Sequence, residues 1–352
     1  MNVMSNRFPE LVEAFRRRFE FVGLDPSKKN VVILANTQNA KCFIDAAYLA
    51  ATTLGTKPTL IQVPFAPPNS SEISQVAEEA IGGADFFIDL MTLSWFYTQS
   101  RNRIIAKLAE RGGILFPCSM THEQDVHTYI ANYPSPRRVE RAERAKELIN
   151  TTTEVRVTTE EGTDFTVERG DPRDNPIFLE SLKHHISGKY GQAAFTPTAG
   201  TAKGIIRAVG GLRISSPVAE RFLVREPVTF ELDGGRIVDI HADTADGSYL
   251  KRWFASIGRE DAYDFSHLNL GLVPLSMTHV DNEAVHMAYG GVLAGFGIRM
   301  TDWKPGVGGA PNHLDFWMGN ASYYLDDMPL LKDGHLTEES GLALDPDELA
   351  AS

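Results

Sequence analysis

The sequence predicts an α/β protein in which an N-terminal Rossmann-like, parallel-sheet domain is followed by a β-rich α+β domain. Two observations carry this prediction. Short apolar runs alternate with helical patterns over roughly the first 130 residues, whereas hairpin signals dominate after residue 150. A Pro-Ser-Pro break at residues 134–136 separates the two patterns. We therefore expect one domain at residues 1–135 and another at residues 136–352, which is an ordinary division for a chain of 352 residues.

Four apolar runs predict the buried strands of the first domain, at residues 31–34, 60–63, 86–90 and 113–116. Helical patterns predict three helices among them, at residues 41–54, 70–81 and 97–111. Strands that alternate with helices favour a parallel sheet, because each crossover helix returns the chain to the same end of the sheet. Residues 36–40, Asn-Thr-Gln-Asn-Ala, lack the Gly-x-Gly-x-x-Gly pattern of dinucleotide-binding proteins. A dinucleotide-binding role is therefore weakly supported.

The second domain begins with a charged segment at residues 137–150, which predicts a connecting helix. A first hairpin is predicted where Glu-Glu-Gly separates the alternating segment 153–158 from the apolar return strand 165–167. A second hairpin is predicted where Asp-Gly-Gly separates residues 228–232 from residues 236–240. These signals favour an antiparallel or mixed sheet.

The charge and the cysteine content restrict the partners and the compartment. Acidic residues outnumber basic ones by 46 to 34, and a net charge of −12 gives no electrostatic basis for binding nucleic acid or an anionic membrane. Cys42 and Cys118 are too few for a disulfide framework or a cysteine metal site. No apolar run approaches the roughly 20 residues that span a bilayer, and residues 1–13 lack the apolar core of a signal peptide. We expect a cytoplasmic protein with no nucleic-acid or membrane partner.

Three His-x-Asp pairs are candidates for metal ligands, because residues i and i+2 of a strand point to the same face. His241 ends a predicted hairpin strand, and His279 lies in a polar, loop-like stretch. His313 follows a glycine-rich loop and enters Leu-Asp-Phe-Trp-Met, an apolar strand in which an unpaired acid is costly to bury. A cation beside Asp315 removes that cost. The alternative is that His313 and Asp315 pair with each other in a structural role and bind no metal.

A third ligand is expected from the same domain, and two further histidines are candidates. His267 precedes Leu-Asn-Leu-Gly-Leu, a predicted short strand, and His286 lies in Val-His-Met-Ala-Tyr-Gly-Gly. Two imidazoles and one carboxylate on one side of Fe(II) leave positions open for substrate and O2. Three histidines with carboxylates would equally suit zinc and hydrolysis. Spacing alone leaves both chemistries open.

Segments around these candidates resemble the metal-binding segments of a known family. They are residues 266–274, Ser-His-Leu-Asn-Leu-Gly-Leu-Val-Pro, and residues 312–315, Asn-His-Leu-Asp, which run on to Tyr-Tyr-Leu-Asp-Asp at 323–327. They are similar to 2,5-dihydroxypyridine 5,6-dioxygenase, an Fe(II)-dependent extradiol-type ring opener. The resemblance covers most of the chain at low identity. It implies a fold shared with the thermophilic metalloaminopeptidases of the aminopeptidase T type.

The resemblance implies roles for individual residues. It assigns His267, His313 and Asp315 as ligands of one Fe(II), and His184 as a histidine that contacts substrate or oxygen. The dioxygenases have a further active-site histidine after their third strand, where this chain carries Trp95. Trp95 could stack on a flat ring or could equally be a core residue. For His184, the alternative is a surface histidine in a His-His pair.

Two departures from the family patterns bear on the number of metal ions. His286 resembles a metal ligand of the peptidase relatives more than any residue of the dioxygenases. Those peptidases, however, supply a glutamate where this chain has His267, and another within a segment that reads Pro-Thr-Ala-Gly-Thr here, at residues 197–201. Two divalent ions close together require anionic ligands, so these losses favour one metal ion. Whether His286 is a ligand, a catalytic residue or core stays open, and we group it with His184 and Trp95 as a candidate catalytic residue.

The function that these features predict is a mononuclear non-haem Fe(II) dioxygenase with one metal ion per chain and O2 as co-substrate. Its substrate would be a hydroxylated pyridine similar to 2,5-dihydroxypyridine, or a related hydroxylated aromatic ring. The alternative is a metal-dependent aminopeptidase or amidohydrolase of the aminopeptidase T type. A third hypothesis is a small-molecule binder that retains the fold without the chemistry. A homo-oligomer is expected by analogy with the relatives alone.

Overall fold

The computed structural model describes residues 3–65, 72–91, 95, 98–118, 122–174, 177, 189–216, 220–274, 287–297, 313–342 and 344; for residues 3–6, 124, 211–216 and 220–223 it describes the backbone alone. Seven α-helices lie within these ranges. They are α1 (Val3–Phe21), α2 (Lys41–Thr53), α3 (Gln75–Gly82), α4 (Gln99–Arg111), α5 (Val126–Ala131), α6 (Pro136–Thr151) and α7 (Ala245–Ile257). Short 3-10 turns occur at Glu123–Asp125 and Glu260–Tyr263. No helix in the described ranges combines the length and the apolar character that crossing a bilayer requires.

The first domain is built on a parallel sheet of four strands in the order β2-β1-β3-β4. The strands are β1 (Val31–Asn36), β2 (Thr59–Val63), β3 (Phe86–Asp89) and β4 (Ile114–Pro117). Every residue of β1 and β3 is buried. Alternate residues of β1 pack with α1 and α2 on one face and with α3 and α4 on the other, which is why the strand is apolar from Val31 to Ala35. The predicted parallel, Rossmann-like architecture is confirmed.

Capping residues determine where two helices of this domain begin. The side chain of Ser74 accepts a hydrogen bond from the backbone N–H of Ala77, and that of Thr98 accepts one from Arg101. Such caps satisfy backbone N–H groups that have no partner within the helix. Helices α3 and α4 therefore start later than the apolar pattern alone predicts, directly after these two residues.

The second domain contains a sheet of twelve strands, and all the paired strands are antiparallel. The strands are β5 (Glu154–Thr158), β6 (Asp164–Glu168), β7 (Gln192–Phe195), β8 (Lys203–Ser216), β9 (Glu220–Asp233), β10 (Arg236–Ile240), β11 (Phe265–Gly271), β12 (Gly291–Gly297), β13 (His313–Gly319), β14 (Ser322–Leu325), β15 (Met328–Lys332) and β16 (His335–Leu336). Their order is β16-β15-β14-β5-β6-β8-β13-β12-β11-β7, and β9 pairs with β8 and β10. Both predicted hairpins, β5-β6 and β9-β10, are present.

Strands β11, β12 and β13 lie side by side, and both faces of β11 and β12 are buried. One face packs into the hydrophobic core through Leu268, Leu270, Val292, Ala294, Phe296, Leu314, Phe316 and Met318. The residues that alternate with these on β11 and β12 are buried too, although several are polar or glycine. A polar face that is covered rather than exposed to solvent is the expected setting for a functional site.

The two domains share part of their core. Tyr190, Val273, Met287 and Ala288 of the second domain pack with the apolar residues of α1, α2 and β1. Arg141 of α6 also reaches the second domain, where its guanidinium donates a hydrogen bond of 3.3 Å to the carbonyl oxygen of Leu272, directly after β11. Helix α6 packs against both cores, with Val139 beside the first and Ala142 in the second. The domain boundary between residues 135 and 136 stays a prediction.

Candidate metal centre

Two strands that are not direct neighbours supply the three predicted ligands. His267 is the third residue of β11, and His313 and Asp315 are the first and third residues of β13. Strand β12 lies between them, with Gly295 opposite His267 on one side and opposite Asp315 on the other. Because side chains alternate along a strand, His313 and Asp315 share a face, and the register of the sheet adds His267 to that face.

The three side chains meet at short distances. His313 Nε2 lies 3.2 Å and His267 Nε2 lies 3.6 Å from the same oxygen, Asp315 Oδ1. The two imidazole rings are stacked, with their centroids 5.2 Å apart and an angle of 14° between their planes. One ligand atom from each residue lies within 4.8 Å of the others. In the described part of the chain, this is the one group of three or more His, Cys, Asp or Glu side chains so arranged.

Burial of this cluster costs free energy unless a cation is bound. The exposed fraction of the side chain is 8% for His267, 9% for His313 and 2% for Asp315. Removing an ionised carboxylate from water costs several kcal/mol unless nearby groups compensate it. A divalent cation between the three residues would provide that compensation and would also bring the two imidazole nitrogens and the carboxylate oxygen into one coordination sphere.

The donor set fits a single transition-metal ion. Two ligand atoms with bonds of about 2.1 Å and a right angle between them lie about 3 Å apart. The observed separations of 3.2 and 3.6 Å are close to that value. Two imidazoles and one carboxylate are the donors of mononuclear Fe(II) oxygenases, and zinc accepts the same donors. The cluster of His267, His313 and Asp315 could therefore hold one metal ion.

The competing His-x-Asp pairs have different surroundings. His241 Nε2 lies 2.7 Å from Glu231 Oε1, and both side chains are well exposed, at 38% and 48%. The pair joins the end of β10 to its hairpin partner β9, so its geometry is that of a surface contact. His279 lies outside the described residues. The apolar context that distinguished His313 in the sequence therefore corresponds to real burial.

The predicted catalytic residues have no described contact with this cluster. His184 and His286 lie outside the described residues. Trp95 is fully buried in the first domain, where its ring meets Phe87 edge-on at a centroid distance of 6.2 Å. Its indole N–H donates a hydrogen bond to Asp89. The structure thus places Trp95 in the core of the first domain, and the catalytic roles of all three residues stay predictions.

Two neighbours of the ligands were not identified from the sequence. Gly295 lies between His267 and Asp315, and Asn269 is buried two residues beyond His267 on the same strand. Residues 291–297 read Gly-Val-Leu-Ala-Gly-Phe-Gly, in which no local signal separates one glycine from the others. Only the register of β12 against its two neighbours identifies Gly295.

Comparison with known proteins yields one family and two informative structures. The sequence model of NicX, 2,5-dihydroxypyridine 5,6-dioxygenase, matches residues 10–338. The structure of a 2,5-dihydroxypyridine dioxygenase from Pseudomonas putida KT2440 is similar at a TM-score of 0.72 and 20% identity, covering 96% of this chain and 98% of that one. Wild-type AmpT from Thermus thermophilus is similar at a TM-score of 0.62 and 14% identity, covering 94% and 100%. No curated protein sequence matches this chain. The two structures confirm the fold that the resemblance implied.

Proposed function

The chain belongs to the 2,5-dihydroxypyridine 5,6-dioxygenase family, and we propose that it is a mononuclear, non-haem Fe(II) dioxygenase that opens a hydroxylated aromatic ring. The substrate that we propose is a hydroxylated pyridine similar to 2,5-dihydroxypyridine, or a related hydroxylated ring. The single observation that supports this best is the buried cluster of His267, His313 and Asp315 in a chain that matches the family over residues 10–338.

In this proposal, His267, His313 and Asp315 would hold one Fe(II), which when bound would supply the Lewis-acid and redox chemistry that the reaction of a ring hydroxyl with O2 requires. The contribution of the chain is to place three donors on one side and to exclude water. Asp315 carries the single negative charge of the three ligands, so the site with a divalent ion keeps a net charge of about +1. A buried positive charge favours an ionised ring hydroxyl over a neutral one.

Roles for the other predicted residues rest on the resemblance alone. We propose that His184 contacts substrate or oxygen, where it guides a proton, and that His286 is a catalytic residue. We also propose that Trp95 stands in the place of the active-site histidine that the dioxygenases have after their third strand. Because of this replacement, the ring substrate of this chain can differ from 2,5-dihydroxypyridine. A homo-oligomeric assembly is a prediction of the same kind, whereas a cytoplasmic location remains a prediction from the sequence composition.

The test is an oxygen-electrode assay of purified protein loaded anaerobically with Fe(II). The panel contains 2,5-dihydroxypyridine, other hydroxypyridines, catechols and hydroquinones. We expect one O2 consumed per ring opened with at least one hydroxypyridine. The H313A variant is expected to lose this activity, whereas H241A, which alters an exposed histidine of a competing His-x-Asp pair, is expected to retain it.

Three outcomes would contradict the proposal. Equal O2 consumption by wild type and H313A would place the metal elsewhere. Two metal ions per chain, with release of amino acids from peptides in the absence of O2, would favour the metallopeptidase alternative. Metal content near zero after reconstitution would favour a binder without catalytic chemistry.

A further inference from the structure

The positions of His267 and Asp315 in the sheet pose a geometric problem. Neighbouring strands of a sheet are about 4.8 Å apart, so residues directly across two strand spacings have backbones about 10 Å apart. His267 on β11 and Asp315 on β13 are related in this way, with β12 between them. Their side chains nevertheless approach to 3.6 Å, from Nε2 to Oδ1. The imidazole must therefore extend across the backbone of β12.

Gly295 is the residue over which the imidazole crosses. A Cβ atom added to Gly295 would lie 2.1 Å from Cε1, 2.3 Å from Nδ1 and 3.0 Å from Nε2 of His267. Carbon contacts of this length do not occur between unbonded atoms, since the optimum is about 3.5–4.0 Å. The ring therefore occupies the space that the side chain of any other residue at position 295 would fill.

The ring also has little room to move aside. The His313 imidazole is stacked against it, with the ring centroids 5.2 Å apart. Towards the other end of the strands, Leu293 and Asn269 are the next residues on the same face, and both are almost fully buried. A larger residue at position 295 would consequently displace His267 away from Asp315 rather than being absorbed by a small adjustment.

We propose that Gly295 is a positioning residue of the metal site, whose missing side chain allows His267 on β11 to share one ion with His313 and Asp315 on β13. The inference rests on the proposed function only in requiring that the cluster binds a metal. It does not depend on which ring is cleaved or on whether O2 is consumed. It also supplies a reason for a glycine in the middle of a buried strand, where glycine is otherwise unfavourable.

The same strand offers a matched control. Gly291 lies on the same face of β12, four residues before Gly295, and a Cβ atom there would lie 2.0 Å from Nε1 of Trp317. The G291A variant therefore introduces an equally short contact into the same strand, but against a side chain that is not a predicted ligand. A loss of metal affinity that G291A does not share would come from the position of the imidazole and not from a general disturbance of β12.

The first measurement is an anaerobic titration of metal-free wild type, G295A and G291A with Fe(II), and with Co(II) as an optical probe. We expect G295A to bind about 10- to 100-fold more weakly than wild type, as for residues that orient metal ligands. The affinity of G291A is expected to stay close to that of wild type. Equal affinities of wild type and G295A would overturn the inference, as would equal losses in G295A and G291A.

A second measurement applies if G295A is too unstable to titrate. The urea midpoints of metal-free wild type, G295A, H267A and the H267A/G295A double variant form a cycle. We expect G295A to lower the midpoint strongly when His267 is present and only slightly when it is absent, because the clash is then gone. An equal decrease in both backgrounds would overturn the inference. If wild type binds metal tightly but consumes no O2 with any ring substrate, the proposed function fails while the role of Gly295 stands.

Discussion

The indole N–H of Trp95 donates to both carboxylate oxygens of Asp89, at 3.0 and 3.1 Å, inside the core of the first domain. Asp89 ends β3 and is fully buried; it also accepts a hydrogen bond of 2.9 Å from the backbone N–H of Met91 and lies 3.6 Å from the guanidinium of Arg101. Burial raises the pKa of Asp89, whereas the charge of Arg101 and the hydrogen bond from Trp95 act to lower it. Trp95 therefore has a structural role, whatever it contributes to the substrate site.

We expect the W95F variant to be less stable than wild type by about 1–3 kcal/mol, because it removes a donor from a buried carboxylate. Urea unfolding measures this difference. The matched control is W253F, which alters a half-buried tryptophan of α7 and is expected to have a smaller effect. Metal affinity should stay unchanged in W95F, and an increase in KM for the ring substrate would support the predicted site role. Wild-type stability of W95F would contradict the structural role.

Removal of the anionic ligand is expected to abolish stabilisation by metal. The D315N variant keeps the size of the side chain but loses the charge that partly neutralises a divalent ion. We expect Fe(II) or Co(II) at about 100 times the wild-type Kd to stabilise wild type by about 2.7 kcal/mol. The same concentration should stabilise D315N and H313A far less. Thermal unfolding with and without metal measures the effect.

The control for these variants is D243N, in the exposed His-x-Asp pair at the end of β10, which should respond to metal as wild type does. A metal-dependent increase in the unfolding temperature of D315N equal to that of wild type would mean that Asp315 is not a ligand. If D243N lost the metal-dependent increase in unfolding temperature as fully as D315N does, the effect would not be specific to the cluster.

The metal cluster shows which features a sequence can reveal. His313 and Asp315 are two residues apart on one strand, and this local relation follows from strand geometry. The apolar neighbours of Asp315 also correctly predicted its burial. His267 lies far away in the sequence, and its approach to Asp315 depends on the register of three strands and on the absence of a side chain at Gly295. Register is set by tertiary packing, so the sequence offered His267 only as one of two candidate third ligands, and its choice over His286 rested mainly on the resemblance.

The fold likewise has one part that the sequence predicts and another that it does not. The alternation of strands and helices predicted the parallel sheet of the first domain, because both the pattern and the crossover are local. The order of the strands in the second sheet could not be obtained in this way. Strand β8 pairs with β6 near its beginning, with β13 near its end and with β9 along most of its length. A register shift between Ala208 and Gly210 accompanies this change of partner, and no sequence periodicity shows it.

Asp326, in the Tyr-Leu-Asp-Asp segment that carries the resemblance, has a structural role that can be tested. Its carboxylate accepts hydrogen bonds from the backbone N–H groups of Thr153 and Glu154, at 3.2 and 2.9 Å, and its φ is +52°. It therefore fastens the turn between β14 and β15 to the start of β5. We expect D326A to lose about 1–2 kcal/mol of stability, because alanine removes both acceptors and tolerates positive φ poorly. D326N should lose less, and D327A, the exposed neighbour, should be close to wild type in urea unfolding.

The pH dependence of the Asp326 contact follows from its pKa. The hydrogen bonds from Glu154, Thr152 and Thr153 hold the pKa of the Asp326 carboxyl below its usual value, against a smaller opposing effect of burial. A carboxyl whose pKa is lower in the folded chain stabilises the fold above its unfolded pKa, near 3.9, and loses this contribution as the pH falls through the folded value. The stability difference between wild type and D326N should therefore be full at pH 7 and shrink below about pH 4. A difference that stays constant from pH 7 to pH 3 would show that the charge of Asp326 contributes nothing, and that the shape of the turn alone determines the effect of the substitution.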